Sequence, residues 1–332
     1  MRILFITNWA MAGALLERVC RIGHDVCGVV THGDVPQTLP WRELAKQFST
    51  SPGSWPWSLA YKRTLELGRV VEARGLNHIR TRNLNDKDVV ERLRRTAPEG
   101  VVVFGWPQIL GPEALSLAPL PPVNCHPSLL PAHRGVNPFH SVLRQGERES
   151  GITFHYMTED VDGGEILLQS AFPVTVLDNG LTLQRKAQGA ALATIETLLR
   201  GMEKGSLKPT EQNSRKATYY PRLSAKNRFI SWECTAEEIH NHVRSLYPWM
   251  RSCTYHDGRM VCFAWSRLTT RTSIPGDGGV VMGKHLAWLE VAARDGAGVR
   301  LGDVRVAGAG IKGAYLYLHK RIKVGDRLTT TG

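Results

Sequence analysis

Short apolar runs that alternate with helical patterns over the first hundred residues are the feature that most restricts the fold. Residues 1–7 and 24–31 each contain a run typical of a buried strand, and apolar side chains at helical spacing lie between them, at Met11, Leu15, Leu16, Val19 and Ile22. Such a strand, helix and strand form a right-handed βαβ unit with parallel strands. The same criteria predict further elements at 58–73, 77–81, 86–95 and 101–104. The sequence therefore predicts an α/β domain with a Rossmann-like, mostly parallel sheet and helices on both faces.

The turn after the first predicted strand does not have the composition of a dinucleotide site. Residues 8–13 read Asn-Trp-Ala-Met-Ala-Gly and lack the three glycines of that fingerprint, so NAD binding is not supported. Open α/β sheets bind ligands just beyond the carboxyl ends of their strands. We therefore expect the segment after the strand at 101–104 to contact a ligand.

A second segment of this kind, 123–131, places an amide and an imidazole two residues apart. Side chains at positions i and i+2 of a strand point to the same side, so Asn124 and His126 can converge on one reacting atom. Their N–H groups can stabilise an oxyanion, and a neutral imidazole can take up a proton near pH 7. Asp162, in an Asp-Gly-Gly turn, is the carboxylate that would orient the imidazole and raise its pKa. These residue types predict a catalytic site.

The wider pattern resembles the signature of the folate-dependent formyltransferases. It consists of Asn124-Cys-His126-Pro-Ser128-Leu-Leu-Pro131-x-x-Arg134-Gly135-x-x-Pro138, then Gly151-Ile-Thr153-Phe-His155-Tyr-Met157 and Asp162-Gly-Gly-Glu-Ile166. That family includes glycinamide ribonucleotide, methionyl-tRNA, amino-sugar and hydroxyornithine formyltransferases. By the order of its elements the resemblance extends over about residues 1–200.

The resemblance implies that a formyl group passes from 10-formyltetrahydrofolate to an amine, and that no metal is required. Asn124 and protonated His126 would stabilise the oxyanion, and His126, assisted by Asp162, would move the proton. His155 is interpreted as a structural residue. The folate is expected over the segment after the fourth strand and beside the turn at 158–164, on Phe104, Gly105, Trp106, Pro107, Gln108, Ile109, Leu110, Asp160, Val161 and Gly163.

The remainder of the chain reads as a linker and a second domain. Residues 201–222 are polar and rich in Gly, Ser and Lys, and would join a catalytic domain at 1–200 to a C-terminal domain at 223–332. Thr235-Ala-Glu-Glu238 is a capping box that starts a helix ending before Pro248. Strands are predicted after it at 252–256, 260–265, 279–281, 287–292, 299–306 and 314–318. This half resembles the C-terminal OB-like β-barrel domain of the tRNA and amino-sugar formyltransferases.

The cysteines and the apolar runs indicate the compartment. The six cysteines are scattered, which argues against a disulfide framework and a structural zinc site. Cys125 is expected to be a small core residue on the face opposite to the catalytic pair. No run approaches 18 apolar residues, and the first seven residues lack the features of a signal peptide. We expect a cytoplasmic protein with no membrane span.

The amine acceptor is the least determined property, and the oligomeric state is not predicted. Residues 203–332 hold 21 Lys and Arg against 11 Asp and Glu, and so carry +10 of the net charge of +12. This charge fits tRNA, a phosphorylated substrate or solubility alone. The segment 32–57 holds three tryptophans among prolines, with Arg42 and Lys46 as its only basic residues, where tRNA formyltransferases typically carry a basic segment. We expect a small-molecule amine, an amino sugar or N-hydroxyornithine, in preference to methionyl-tRNA. A formyl-folate hydrolase and a non-catalytic folate- or RNA-binding protein are the more distant alternatives.

Overall fold

The computed structural model of the chain describes residues 1–8, 12–33 and 67–331. Most of the tryptophan-containing segment at 32–57 and of the predicted helix at 58–73 therefore lies outside the described residues. Contacts divide the chain into two units. The first unit comprises Met1–Pro138, Glu149–Pro173 and Gln184–Pro221, and the second comprises Phe139–Arg148, Val174–Leu183 and Arg222–Gly332.

A seven-stranded sheet forms the centre of the first unit. The strands of this unit are β1 (Arg2–Thr7), β2 (Asp25–His32), β3 (His78–Thr81), β4 (Gly100–Phe104), β5 (Val123–His126), β6 (Arg134–Gly135), β7 (Glu149–Tyr156), β8 (Ile166–Pro173) and β9 (Tyr219–Tyr220). The order across the sheet is β3-β2-β1-β4-β5-β7-β8, while β6 pairs with β9 in a separate ladder. Strands β1 to β5 are parallel to their neighbours, and β7 and β8 are antiparallel. The predicted mostly parallel sheet is confirmed.

The helices of the first unit are α1 (Ala12–Ile22), α2, described over 67–73, α3 (Lys87–Arg94), α4 (Pro112–Leu115) and most of α6 (Gly180–Lys204). Helix α5 (Pro138–Arg144) belongs, apart from its first residue, to the second unit. Central strands β1 and β4 are buried throughout, apart from Arg2. Because both of their faces are covered, their sequences are continuous apolar runs without alternation. No helix in the described parts of the chain is both long enough and apolar enough to cross a membrane.

The second unit contains two antiparallel sheets. Helix α7 (Ala236–Leu246) precedes β10 (Ser252–His256), β11 (Arg259–Phe263), β12 (Trp265–Thr272), β13 (Val281–Lys284), β14 (Trp288–Ala292), β15 (Ala297–Gly302) and β16 (Arg305–Val306), and α8 (Ile311–Lys320) follows them. One sheet has the order β10-β11-β16 and the other β12-β15-β14-β13. The predicted capping box starts α7, because Thr235 Oγ1 accepts from the Glu238 N–H and the Glu238 carboxylate accepts from the Thr235 N–H. The predicted β-rich C-terminal half is confirmed.

Two elements of this unit differ from the sequence-based expectations. The strand predicted at 314–318 is wrong, because these residues lie within α8. Ala314 and Leu318 are buried one helical turn apart, and Tyr315 between them is exposed. This spacing is helical, but it involves too few apolar positions for the sequence pattern to identify a helix. Strand β12 was missed beyond its first residue because most of it is exposed and shows no apolar alternation.

One cysteine pair also escaped the sequence pattern. Cys253 and Cys262 are directly opposed on β10 and β11 and form a disulfide, whereas Cys20, Cys27, Cys125 and Cys234 are free. The two partners are nine positions apart in sequence. The hairpin register, which spacing alone does not specify, brings them together.

Buried leucines in the core of the second unit should contribute strongly to the free energy of unfolding. Leu301 is fully buried in this core, while Leu286 is 57% exposed. We expect Leu301→Ala to lower the free energy of unfolding by about 2–5 kcal/mol, because a cavity remains in the core. Leu286→Ala, the matched control, should change it by less than about 0.5 kcal/mol. Denaturant unfolding of the full chain measures both, and equal effects of the two substitutions would contradict the assignment of this core.

Candidate active site

Strand β5 ends in the predicted catalytic pair. Asn124 and His126 point to one side of the strand, and Cys125 between them is 3% exposed in the core, where burial raises the pKa of its thiol. On the neighbouring strand β7, His155 is the direct partner of Asn124 and Thr153 that of His126. Because opposed residues of an antiparallel pair share a face, His155 joins the same site.

Asp162 lies at the centre of this group. Its Oδ2 accepts a hydrogen bond from the Gly135 N–H at 2.8 Å and lies 3.4 Å from Nδ1 of His126. Its Oδ1 lies 3.5 Å from Nε2 of His155 and 3.5 Å from Nδ2 of Asn124. The three residues predicted to be catalytic are thus brought together around one mostly buried carboxylate.

The hydrogen-bond partners determine the proton positions on His126. Its Nε2 lies 2.8 Å from the carbonyl oxygen of His133. A carbonyl can only accept, so Nε2 carries the hydrogen of the neutral ring. The unprotonated nitrogen is then Nδ1, the one that faces Asp162. A proton taken up by this imidazole therefore goes to Nδ1, where the Asp162 carboxylate stabilises it.

Burial and mutual attraction act in opposite directions on these charges. Burial lowers the pKa of His126 below its ordinary 6.5, against the opposing effects of Asp162 and the His133 carbonyl. Burial would raise the pKa of Asp162, but the two imidazoles and the Gly135 N–H together lower it to about 2. At neutral pH the site therefore holds an Asp162 anion beside a neutral His126, which is the protonation state that a general base needs.

His155 has the structural hydrogen bonds expected of it, and they place it next to Asn124. It is 2% exposed, and its Nδ1 donates to the carbonyl oxygen of Tyr156 at 2.8 Å. In the neutral ring Nε2 is therefore an acceptor, and the Asn124 amide nitrogen lies 3.2 Å away. His155 thus orients the amide of Asn124. The cross-strand register that identifies His155 cannot be read from a single strand pattern.

A side chain from the segment predicted to be a linker supports the Asp162 turn. Gln212 Nε2 donates to the carbonyl oxygens of Asp162 and Gly164, at 2.8 and 2.7 Å. Its Oε1 accepts from Arg134 Nε and Nη2, at 3.0 and 2.6 Å. Arg134 is 7% exposed and also donates from Nη1 to the Tyr219 hydroxyl. Residues 212–220 therefore return to the site, which sequence composition did not reveal.

The backbone of the Asp162 turn is constrained. Asp162 has a φ of 52°, in the left-handed region that Asp tolerates better than most residues. A Cβ atom at Gly164 would lie 2.0 Å from the Tyr156 carbonyl oxygen, so only glycine allows this close approach to β7. The bonds from Gly135 and Gln212 hold the strained residue in place.

The segment predicted to bind folate follows β4 and is anchored by two polar side chains. Gln108 Oε1 accepts from the Trp106 indole N–H at 3.2 Å and from the Leu84 N–H at 3.1 Å. Asn85 donates to the Ile109 carbonyl oxygen at 3.0 Å. The course of this segment is thus held by residues 84–85.

Not every residue predicted to bind folate has a side chain that is accessible at the surface. Phe104 is fully buried and stacks on Phe5, its carbonyl accepts from Thr7 and Asn8, and Leu110 is 2% exposed. Any contact of these two predicted residues with a ligand is therefore limited to the backbone. The predicted residues with exposed or partly exposed side chains or backbone are Gly105, Trp106, Pro107, Gln108, Ile109, Asp160, Val161 and Gly163.

An amide, two imidazoles and a carboxylate meet at the end of β5 in an open α/β sheet, an arrangement typical of an enzyme that stabilises an oxyanion and moves a proton. The family model described as "Formyl transferase" matches residues 3–197, and the model described as "Formyl transferase, C-terminal domain" matches residues 222–319. The chain therefore belongs to the formyl transferase family. The family resemblance of the sequence motif is confirmed.

Sequence relatives span both units. A methionyl-tRNA formyltransferase of Anaeromyxobacter dehalogenans is 30% identical over 312 residues, 93% of each chain. One from Heliobacterium modesticaldum is 31% identical over 340 residues, which covers 98% of this chain and 99% of the relative.

Solved structures share the fold at lower identity. The sugar 3N-formyl transferase WlaRD has a TM-score of 0.67 at 15% identity, with 93% of this chain and 99% of WlaRD covered. The N-formyltransferase of Helicobacter canadensis has a TM-score of 0.66 at 16% identity, with 91% and 99% covered.

The charges of the site generate a pH prediction. We expect the His126 ring to titrate below 6.5, and Asp162→Asn to lower its pKa further, because the carboxylate raises it. The folded state binds a proton at His126 more weakly than the unfolded chain does. The free energy of unfolding should therefore decrease as the pH falls through 6.5, the ordinary pKa of histidine. An NMR titration of the imidazole resonances measures the pKa. The control Asp160→Asn, at an exposed carboxylate of the same turn, should leave it unchanged. A higher His126 pKa in Asp162→Asn would refute the assigned pair.

Proposed function

We propose that this protein transfers a formyl group from 10-formyltetrahydrofolate to the amine of a small molecule, of the amino-sugar or N-hydroxyornithine type. The observation that carries the transfer reaction is the convergence of Asn124, His126 and Asp162. Attack of an amine on a formyl carbon requires a donor for the oxygen that becomes negative and a base for the proton of the amine. The site contains both.

Each residue has a separate task in this proposal. His126 accepts the proton of the amine at Nδ1, and Asp162 stabilises the resulting imidazolium. The imidazolium then returns the proton to the folate nitrogen, which leaves as its bond to the formyl carbon breaks. The His133 carbonyl keeps the ring oriented through Nε2. Asn124 supplies the amide N–H donor, whose direction is set by His155. Because Asp162 is already ionised and fixed by the Gly135 N–H, the site needs little reorganisation when charge develops.

The residues predicted to hold the donor fit a flat, partly apolar ring. When bound, the folate supplies the one-carbon group. Ile109 is 62% exposed and Val161 is 41% exposed, on the two segments assigned to the folate. Two solved proteins that share this fold support a folate donor. WlaRD was crystallised in the presence of 5-N-formyl-THF, and Aquifex aeolicus HypX in complex with tetrahydrofolic acid.

Methionyl-tRNA is the second candidate acceptor. The names of the sequence relatives and the basic charge of residues 203–332 favour it. Two observations favour a small amine. The segment 32–57 has only Arg42 and Lys46 as basic residues. Sugar N-formyltransferases align over 99% of their length, so a second unit does not by itself indicate tRNA.

The acceptor is tested by mass spectrometry with 10-formyltetrahydrofolate as donor. We expect a mass gain of one formyl group on a nucleotide-linked amino sugar or on N-hydroxyornithine, and negligible formylation of charged initiator tRNA. His126→Ala and Asp162→Ala should each reduce turnover by at least about 100-fold, because the base or its stabilising charge is lost.

The control Glu159→Gln, at an exposed carboxylate of the same turn, should retain activity, and circular dichroism should show that the two inactive variants are folded. Efficient formylation of the tRNA would show that methionyl-tRNA, and not a small amine, is the acceptor. Near-normal turnover in His126→Ala or Asp162→Ala would refute the site itself, whichever acceptor is used.

The folate position generates a separate prediction. Ile109→Asp places a charge on the exposed apolar side chain of the segment after β4, and we expect the dissociation constant of a folate analogue to rise at least about tenfold. Ile311→Asp, at an isoleucine that is 73% exposed in the second unit, is the matched control and should have no effect. Fluorescence or calorimetric titration measures both. Equal affinities in the two variants would place the folate elsewhere.

A further inference from the structure

The four-stranded sheet of the second unit carries tryptophans and arginines in two adjacent rows on one face. Trp265 of β12 and Trp288 of β14 are both direct partners of Gly302 on the strand between them, β15. Two residues earlier on β15, Arg300 is the partner of Arg267 on β12. Directly opposed residues share a face, and residues two apart along a strand do so too. The two aromatic rings therefore lie next to a row of guanidinium groups.

The opposite face of the same sheet contributes to the core. Leu289, Val291, Val299 and Leu301 alternate with the residues of the two rows and are fully buried. Trp265 is 37% exposed and Arg267 is exposed. The tryptophan and arginine rows thus form the outer face of the sheet, where exposed aromatic side chains are not needed for packing.

The glycine between the tryptophans shapes this surface. A Cβ atom at Gly302 would lie 2.0 Å from the indole of Trp265, so the ring lies directly over the backbone of β15. The Arg300 guanidinium lies 4.8 Å from the ring centroid of Trp288, and its Nε is 3.4 Å from a carboxylate oxygen of Glu290. Both rings are therefore held in place by the sheet rather than by a ligand.

A cavity of about 530 Å³ opens at this surface. Its other walls are residues 176–179 and two side chains of α7, His240 and Arg244. His240 is held by Ser266 Oγ at Nδ1 and by the Val176 carbonyl at Nε2, both at 2.8 Å. All of these residues belong to the second unit, and none belongs to the Asp162 site.

A buried, incompletely paired guanidinium lines the cavity. Arg244 is 7% exposed, its Nη1 donates to the carbonyl oxygens of Thr175 and Asp178, and its Nε donates to Asn241. Nη2 has no hydrogen-bond partner within the described parts of the chain. Arg267 has no ion pair there either. The cavity therefore contains two guanidinium groups that can bind an anion.

The carboxylates nearby are already engaged. Asp178 accepts from the Thr175 N–H and hydroxyl and from the Thr182 hydroxyl, at 2.7–3.0 Å. Glu290 is paired with Arg300 and Arg271. Asp178 and Glu237 also attract the Arg244 guanidinium, whereas Arg267 has no ion pair in the described parts of the chain.

We propose that this cavity binds a free nucleotide of the nucleoside diphosphate class. Indole rings bind a planar base by stacking, and guanidinium groups bind phosphate oxygens with two parallel hydrogen bonds. Trp288 is already stacked on His285 and covered by Arg300, so Trp265 is the indole with a face available to a base. A purely aliphatic anion would leave that face without a partner, and a neutral aromatic ligand would leave Arg244 and Arg267 without one. The volume lies in the range of small-molecule sites, about 300–1,000 Å³. This binding function is additional to formyl transfer and does not depend on it.

Calorimetric titration of the full chain with ADP, GDP, CDP and UDP tests the proposal. We expect at least one of them to bind, with equal affinity in the wild type and in Asp162→Asn, because the cavity is separate from the formyl transfer site. Arg267→Gln should weaken binding about tenfold through the loss of a charged hydrogen bond, and Trp265→Ala should do so through the loss of stacking. Lys312→Gln, which removes the same charge from an exposed position on α8, should change affinity less than twofold.

Circular dichroism shows whether Trp265→Ala is folded, and the exposed Arg267 provides a test that does not depend on that variant. The proposal is overturned if none of the four nucleotides binds, if Arg267→Gln binds as the wild type does, or if inorganic pyrophosphate binds as tightly as the nucleotides. A short single-stranded RNA that binds more than tenfold tighter than the mononucleotides, and loses affinity in Arg267→Gln, would replace the free nucleotide by an RNA strand.

Discussion

The first unit depends on one buried negative charge. Asp162 is mostly buried, and its carboxylate accepts from the Gly135 N–H and lies beside the Asn124 amide. The imidazoles of His126 and His155 also face it, and each stabilises the anion when the facing nitrogen carries a proton. The same contacts hold each of these groups in a defined orientation. The contacts that stabilise the charge of Asp162 are thus the same contacts that orient the side chains of the proposed reaction. A change in one of these contacts therefore affects both the charge and the orientation.

The support of this charge comes from parts of the chain that are far apart in sequence. Gln212 binds the backbone on both sides of Gly163 and is itself held by Arg134, which is adjacent to the glycine that donates to Asp162. A turn with a left-handed aspartate is therefore closed by a side chain fifty residues later in the sequence. Such cross-linking favours rigidity in the turn that carries the proposed catalytic carboxylate.

The second unit uses its sheet differently. One face of the four-stranded sheet forms the core, and the other places tryptophans and arginines on a rigid surface beside α7. Positions on strands are held more accurately than positions on loops, which suits a binding surface. The first unit thus contains the Asp162 site, and the second unit contains a surface suited to an aromatic anion.

The sequence by itself determined the βαβ pattern, the capping box of α7, and the position of Asn124 and His126 at the end of a strand, since these follow from local periodicity and chain direction. The motif around them was sufficient to identify the family. Three features were decided only by the tertiary structure. Antiparallel pairing of β5 with β7 placed His155 beside Asn124. The return of residues 212–220 placed Gln212 under the Asp162 turn. The register of β12, β15 and β14 aligned Trp265 with Trp288. Each depends on contacts between distant segments, and a pattern within one segment holds no information about its partner.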